Sequence, residues 1–531
     1  MWLTIMRAFL TCTVLSLISK SFGAGIVQYE FHKVRKQRET FLEKRATIVA
    51  ADLFNENTFY IVTITIGTPP QSVQMQIGTG SSDTWVINAS ASDCQQNACE
   101  DVSYNPAQSS SYDALQTVFN ISYQDGTGSS GIYFTDTLSI GNTSLAGMEL
   151  ALANVTSIDL ANTGGIMGLS FVADEAVCRG SSPCPTYPTI LDQMVTQGKI
   201  LSHTFSLWLN DLQASTGSVL FGGIDTGKYL PPMLSVPIEQ GGSAPSNSFS
   251  VAFTGLTVTN PINASLNTIP FTQTGFTATV VLEASTTLTY VPDSLFTLIQ
   301  AHFGVVNGTQ SGIYLYEGDM DLYHTTLNFQ FGGSGGPVIN APLVQFMLPY
   351  KYDNGSSVAS NGNIVYEFGI APGGNEFLLF GDTFLHNAYV VYDLENLMIS
   401  LANTNFDSEI SNAIAIPAGS AGVQGVLSTI VAASTSTAAT STTPPTSATT
   451  SYDNGPVDAT SYAISGNSGG VTNTVLQSLG PGPVSTGHSG SAAASPTSGA
   501  SRTQGHIDGT VGFVAWIGTL SLFMLGFVLQ L

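Results

Sequence analysis

Between about Asp52 and Asp407 the apolar residues fall in short runs rich in β-branched and aromatic types, among them TFYIVTITIG, GIYFTDTLSIG, GSVLFGG and AYVVYD, separated by Gly, Asn and Ser turns. Short alternating runs bounded by turn formers predict strands, so this region reads as all-β. Helical spacing is confined to a few stretches, chiefly TYPTILDQMVTQGKI and PDSLFTLIQAHFGV, each opened by a Pro or an Asp. Two segments share one pattern: VQMQIGTGSSDTWV at 73–86 and ATVVLEASTTLTYV at 278–291. Each runs as an apolar strand, a small-residue turn and a second apolar strand. Their recurrence predicts an internally duplicated lobe, with one lobe over 46–240 and the other over 241–410.

The pattern changes at both ends. Residues 1–24 carry one Arg beside an apolar run and end in small residues, as a secretory signal peptide does; an N-terminal membrane anchor is the competing reading. Residues 25–45 hold six of the thirteen basic residues and close on Lys44-Arg45, a dibasic site of the kind kexin-type processing proteases cut. They read as a pro-segment. Over 411–498 the composition shifts to Ser, Thr, Ala, Gly and Pro, as in STSTAATSTTPPTSATTS, which cannot bury enough apolar area to offset chain entropy; this is a disordered, O-glycosylated stalk. Residues 499–531 follow the small residue Ser498 with Gly499, Ala500, a polar spacer and the uncharged tail VGFVAWIGTLSLFMLGFVLQL. That order matches a GPI-attachment signal, removed when the glycolipid is added, with a single-pass helix as the competing reading.

Charge narrows the partners. The formal net charge is −23, and beyond Arg45 only five basic residues stand against thirty-three acids. Such a surface repels nucleic-acid phosphates and loses its self-repulsion when its carboxylates protonate, so nucleic acid is excluded as a partner and acidic surroundings fit. Cys12 lies in the signal; Cys94, Cys99, Cys178 and Cys184 remain, and two short loops, Cys94–Cys99 and Cys178–Cys184, are the simplest pairing. Asn-x-Ser/Thr sites at Asn88, Asn120, Asn142, Asn154, Asn263, Asn307 and Asn354 would carry glycans where exposed. GGSGG at 332–336 fits a hydrolase elbow but runs into Pro337 and a strand, and GGIDTGKY at 222–229 has Tyr229 where a phosphate loop needs Ser or Thr. The histidines never come at metal-ligand spacing. No metal and no cofactor is indicated.

With these motifs in view, the chain resembles the pepsin-like aspartic proteases, specifically the fungal GPI-anchored yapsin type, over roughly Thr58 to Ser408. YIVTITIGTPPQSVQMQ matches the opening strands of that family; GTGSSDTW matches its Asp-Thr-Gly-Ser-Ser turn and Trp; Cys94 and Cys99 match the small disulfide loop that follows. FNISYQDGTGSSGIYFTDT matches the mobile flap, GGIMGLSF the buried segment under the first turn, and FGDTFLHNAYVVYDLENLMISLANTNF the final strands. The resemblance implies a two-lobed pepsin-like fold with a few short helices and a cleft for extended polypeptides. It gives Tyr123 the flap hydrogen bond over substrate, puts Asp125 and Gly126 at the flap tip, and places Trp85 with them. Thr79, Gly80, Ser81 and Thr286 become loop supports.

The departures fall where the chemistry belongs. The family's reaction uses two carboxylates sharing one proton across a water, one taking the water's proton and one hydrogen-bonding the peptide carbonyl. Here the dyad positions are Gly78, which has no side chain, and Glu283, whose carboxylate stands one methylene further out, enough to disturb a site that tolerates little misplacement. Ala284 lacks the hydroxyl that in the family helps tie the two turns together, and Ser285 replaces a Gly. Asp83 is no substitute, since active members carry an Asp at the matching position too. The reading is a cell-surface pseudoprotease with a retained peptide cleft; the alternatives are an acid-range aspartic endopeptidase and a structural wall glycoprotein.

Overall fold

The computed structural model describes residues 48–429, apart from 56–58, 92–93, 95–98, 100–101, 124–125, 159–162, 179–182, 241–247, 263–267, 309–311, 319–321, 353–354, 360–361 and 375–377. The segments expected to be signal peptide, pro-segment and attachment signal, most of the expected stalk, Asp125, Asn263 and Asn354 lie outside the described residues.

Strand alternation sets the layers. In Tyr60–Ile66 the side chains of Tyr60, Val62, Ile64 and Ile66 are buried and Thr63 is exposed, as a half-covered strand requires. This strand pairs antiparallel with Gln71–Gly78, Ile64 opposite Val73, and with Val49–Asn55. From Val49–Asn55 the sheet continues through Thr216–Phe221 and Thr204–Trp208 to Ala388–Asp393, then Met398–Thr404 and Tyr229–Pro237. Strands from both halves of the sequence therefore lie in one 13-stranded sheet. An eight-stranded sheet includes Ser250–Thr259, Thr326–Phe331 and Ala278–Leu282.

The repeated sequence pattern is a repeated topology. Gln71–Gly78 and Thr84–Ile87 flank Gly165–Gly168, which runs parallel to the first and antiparallel to the second. Ala278–Leu282 and Thr289–Val291 flank Leu379–Phe380 in the same senses. A glycine passes close under each turn: a Cβ on Gly168 would lie 2.6 Å from the carbonyl oxygens of Ser81 and Asp83, and one on Gly381 would lie 2.1 Å from that of Thr286. No larger residue fits either crossing.

Helices are few. Ile190–Thr196 opens at Thr189, whose hydroxyl accepts the Asp192 amide while the Asp192 carboxylate accepts the Thr189 amide. Asp293–Phe303 buries Leu295, Phe296, Ile299 and Phe303 and ends at Gly304 with φ 68°. A third, Asp382–Leu385, lies in FGDTFLHNAYVVYD, which the resemblance assigns to the final strands; the Asp382 amide donates to Thr286 O at 2.7 Å and the Thr383 hydroxyl to Gly369 O at 2.8 Å. Both expected disulfides are formed. Asn120, Asn142, Asn154 and Asn307 are exposed. Asn88 does not meet the condition of exposure: it is buried, and its Nδ2 donates to Asn154 Oδ1 at 2.8 Å.

The packed region also runs past residue 410, where the compositional shift starts the stalk. Ala413–Ala415 pairs with Gly223–Asp225, and Ile416, Val423 and Val426 are buried against Trp208, Tyr229 and Tyr389. The apolar residues scattered among small ones here are a docking strip. Replacing wholly buried Ile416 by Ala is therefore expected to destabilise the fold by about 2–4 kcal/mol in denaturant unfolding, where a solvated stalk residue would change nothing.

Candidate active site

The two small-residue turns meet through hydrogen bonds that no single strand could supply. The Thr79 hydroxyl donates to Leu282 O at 3.1 Å and accepts the Ala284 amide at 2.9 Å. The Thr79 amide donates to Glu283 Oε1 at 3.1 Å, and Gln76 Nε2 reaches Ser285 O at 3.4 Å. Within the second turn the same Glu283 Oε1 accepts the Ser285 amide at 2.9 Å and the Ser285 hydroxyl at 2.6 Å. Thr79, Ser81, Thr286 and Glu283 are all buried, Glu283 with 0% exposure, while Gly80 is partly exposed.

Gly78 closes its strand as the first turn begins. A Cβ built on it would lie 3.1 Å from Ile166 Cγ2, 3.7 Å from Ser285 Cβ and 3.8 Å from Ser285 Oγ. The hydroxymethyl group of the second turn therefore sits against the bare Cα of the first. Burial holds the Glu283 carboxyl above the usual range, outweighing the hydrogen bonds from Ser285 and Thr79 that favour its charged form. Among the described residues no donor reaches its Oε2.

Asp382 lies close by and was not singled out from sequence, although an acid inside the apolar run LLFGDTFL was the available signal. It is buried, neither carboxyl oxygen has a partner among the described residues, and burial followed by the charge of Glu283 pushes its pKa well up. Asp83 is also buried but fully engaged: Tyr133 and Tyr187 donate to its Oδ1 at 2.7 and 2.8 Å and the Ala176 amide to its Oδ2 at 2.6 Å. It shapes the first turn and cannot meet a substrate.

The flap is the hairpin of Asp113–Ser122 and Gly128–Ile140. The Tyr123 amide donates to Thr127 O and the Gly126 amide to Tyr123 O, and Gly126 takes φ 83° at the bend. Trp85, expected among the substrate-binding residues, has 0% exposure; its Nε1 donates to the Tyr123 hydroxyl at 3.0 Å. Its geometric role is to aim Tyr123. Among the described residues no cluster of His, Cys, Asp or Glu could hold a metal ion. The arrangement offers a flap and a hydrogen-bonded floor, with its turn carboxyl sealed from solvent.

Buried carboxyls give the stability a pH sign. Burial, reinforced by Asp83, Glu149 and Asp192 against a hydrogen bond from the Tyr187 amide, raises Glu175 to about 9, and burial raises Glu367 to about 7. Groups raised in the folded state stabilise it fully below their ordinary 4.5 and lose that contribution as pH climbs through the raised value. His386 works oppositely, lowered by burial to about 4, so its contribution is lost as pH falls from 6.5. The carboxyls outnumber it. The expected outcome is a Tm that is highest near pH 4–5 and falls toward pH 8, measured calorimetrically, with Glu175→Gln flattening the fall.

Comparison with known proteins matches this geometry. The profile of the eukaryotic aspartyl proteases fits residues 59–404. The chain is 36% identical to the "Probable aspartic-type endopeptidase opsB" of Aspergillus oryzae, over 73% of this chain and 77% of that one. It is 32% identical to the "Secreted aspartic protease 8" of Candida albicans, over 70% and 81%. Aspartic proteinase 3 of Saccharomyces cerevisiae is 28% identical over 73% and 79%. The crystal structure of the aspartic proteinase from Irpex lacteus superposes with a TM-score of 0.54 at 21% identity, covering 69% of this chain and 100% of that one, which shows the fold. The repeated strand–turn–strand units, the flap and the family match together place this chain in the eukaryotic aspartyl protease family, with the pepsin-like fold.

Proposed function

We propose that this chain is a cell-surface aspartic-protease-like glycoprotein that no longer hydrolyses peptide bonds and keeps its cleft for extended polypeptides. In this reading Gly78 and Glu283 stand where an active member carries its two aspartates. One observation carries the loss of activity: Glu283 has no exposed surface and its Oε1 is taken by Thr79 and Ser285. A general base must come within hydrogen-bond reach of the water it activates, and a second carboxylate must share the proton. A sealed carboxyl opposite a glycine does neither. Retention of the cleft is supported by the Trp85–Tyr123 bond and by the flap hairpin, whose backbone groups are the kind that pair with extended chains.

The reading includes an extracellular location. The apolar tail after Gly499 and Ala500 supports a GPI anchor to the plasma membrane or wall, and Lys44-Arg45 supports maturation by a kexin-type protease, with an N-terminus at Ala46. Digestion of membranes with phosphatidylinositol-specific phospholipase, after removal of any blocking acyl chain, is expected to release a form that begins at Ala46 and lacks the tail. Retention of the full-length chain with its tail would contradict the anchor.

Activity itself is testable with a statine-sensitive cleavage assay near pH 4. The natural protein is expected to show none, and Gly78→Asp alone to add little, because its new Cβ crowds Ile166 and faces Ser285. Adding Glu283→Asp, Ala284→Thr and Ser285→Gly is expected to raise cleavage by roughly 10²–10⁴-fold over the single variant. Robust statine-sensitive cleavage by the natural protein would establish the acid endopeptidase instead. Absence of both cleavage and peptide binding would leave a structural wall glycoprotein.

A further inference from the structure

The two turns are related by the duplicated topology, residue 78 matching 283 and 79 matching 284. That relation makes a specific demand. On one side the Thr79 hydroxyl accepts the amide of residue 284 and donates to the carbonyl of Leu282. The matching bond on the other side would have a hydroxyl at 284 accept the Thr79 amide. Ala284 has none, and the Thr79 amide, in a fully buried residue, needs an acceptor. It finds Glu283 Oε1 at 3.1 Å.

We infer that Glu283 is the brace of the cleft floor: its carboxyl takes the place of the hydroxyl absent at Ala284, while Ser285 packs into the space left open at Gly78. The extra methylene of Glu is what lets a side chain at 283 reach the first turn. The Ser285 hydroxyl, anchored 2.6 Å from Glu283 Oε1, holds that carboxyl in place and lies 3.8 Å from where a Cβ on residue 78 would stand. The substitutions at 78, 283, 284 and 285 form one compensating set, so the floor is rebuilt as a rigid non-catalytic platform. The brace acts by positioning Thr79. It needs an acceptor oxygen only, so it works with the carboxyl neutral, the form that burial favours; the titratable groups coupled to it, Asp382 and Tyr392, include no base.

A thermal-unfolding cycle on the secreted protein tests this independently of any protease assay. Glu283→Asp withdraws the acceptor by one methylene and is expected to lower Tm by roughly 2–6 °C, the effect of orphaning a buried amide. Ala284→Thr alone should leave Tm within about 1 °C, since the Thr79 amide is already partnered, yet in the Glu283→Asp background it should restore most of the loss. Glu283→Gln keeps the acceptor and is expected to match the natural Tm at pH 4 and to fall less toward pH 8. Additive effects of Glu283→Asp and Ala284→Thr, or a Glu283→Asp variant as stable as the natural protein, would overturn the inference. If Glu283→Asp does not fold, Glu283→Leu against Glu283→Gln decides: lower stability for Leu supports the brace, and equal stability removes it.

Discussion

The Thr79 hydroxyl is the joint on which the meeting of the two turns depends. It donates to Leu282 O and accepts the Ala284 amide, tying together turns that sit 203 residues apart in sequence. Both bonds are shut away from water, so neither can be replaced by solvent, and breaking one leaves a buried polar group unsatisfied. The strands behind the turns share the constraint. Gln71–Gly78 belongs to the 13-stranded sheet and Ala278–Leu282 to the eight-stranded one, and their turns meet at this joint. Above it the flap is aimed by a second buried bond, from Trp85 to Tyr123. Neither bond of this joint runs through a side chain at residue 78, so a glycine there is compatible with it.

The electrostatics of the interior follow the same economy. With thirty-six acids against thirteen bases, the chain cannot neutralise its buried carboxyls with cations. Among the described residues the ion pair present is His203 with Asp192, at 3.1 Å and partly exposed. Buried acids are held by hydroxyls and amides: Asp83 by two tyrosines and the Ala176 amide, and Asp136 by Tyr104, Ser111 and the Thr137 amide. Others, Glu175 and Asp382 among them, favour protonation because burial penalises their charge. A fold that hides neutral carboxyls is suited to acid and is weakened as they ionise.

Several features were legible because they are local. Alternation in YIVTITI, the helical spacing of PDSLFTLIQAHFGV, and the short-loop disulfides each depend on residues a few positions apart. The duplicated unit was legible because the same order of apolar and small residues occurs twice. Other features were hidden because their cause lies far along the chain. Asn88 reads as a glycan site until Asn154 is placed beside it, and Asp382 reads as part of a strand until Thr286 takes its amide. Ile416 reads as the edge of a stalk until Trp208 and Tyr389 supply a surface for it.

The sequence by itself determined which atoms exist. No packing can supply a side chain to Gly78 or a hydroxyl to Ala284, and the strand periods that build the two units are written in the order of apolar and polar residues. Only the tertiary structure decided what Glu283 does. From sequence it reads as a carboxylate set one methylene out from a dyad position; in the fold its Oε1 accepts the Thr79 amide 204 residues away. A side chain's role is set by which unsatisfied group lies within its reach, and that is fixed by the meeting of two distant turns.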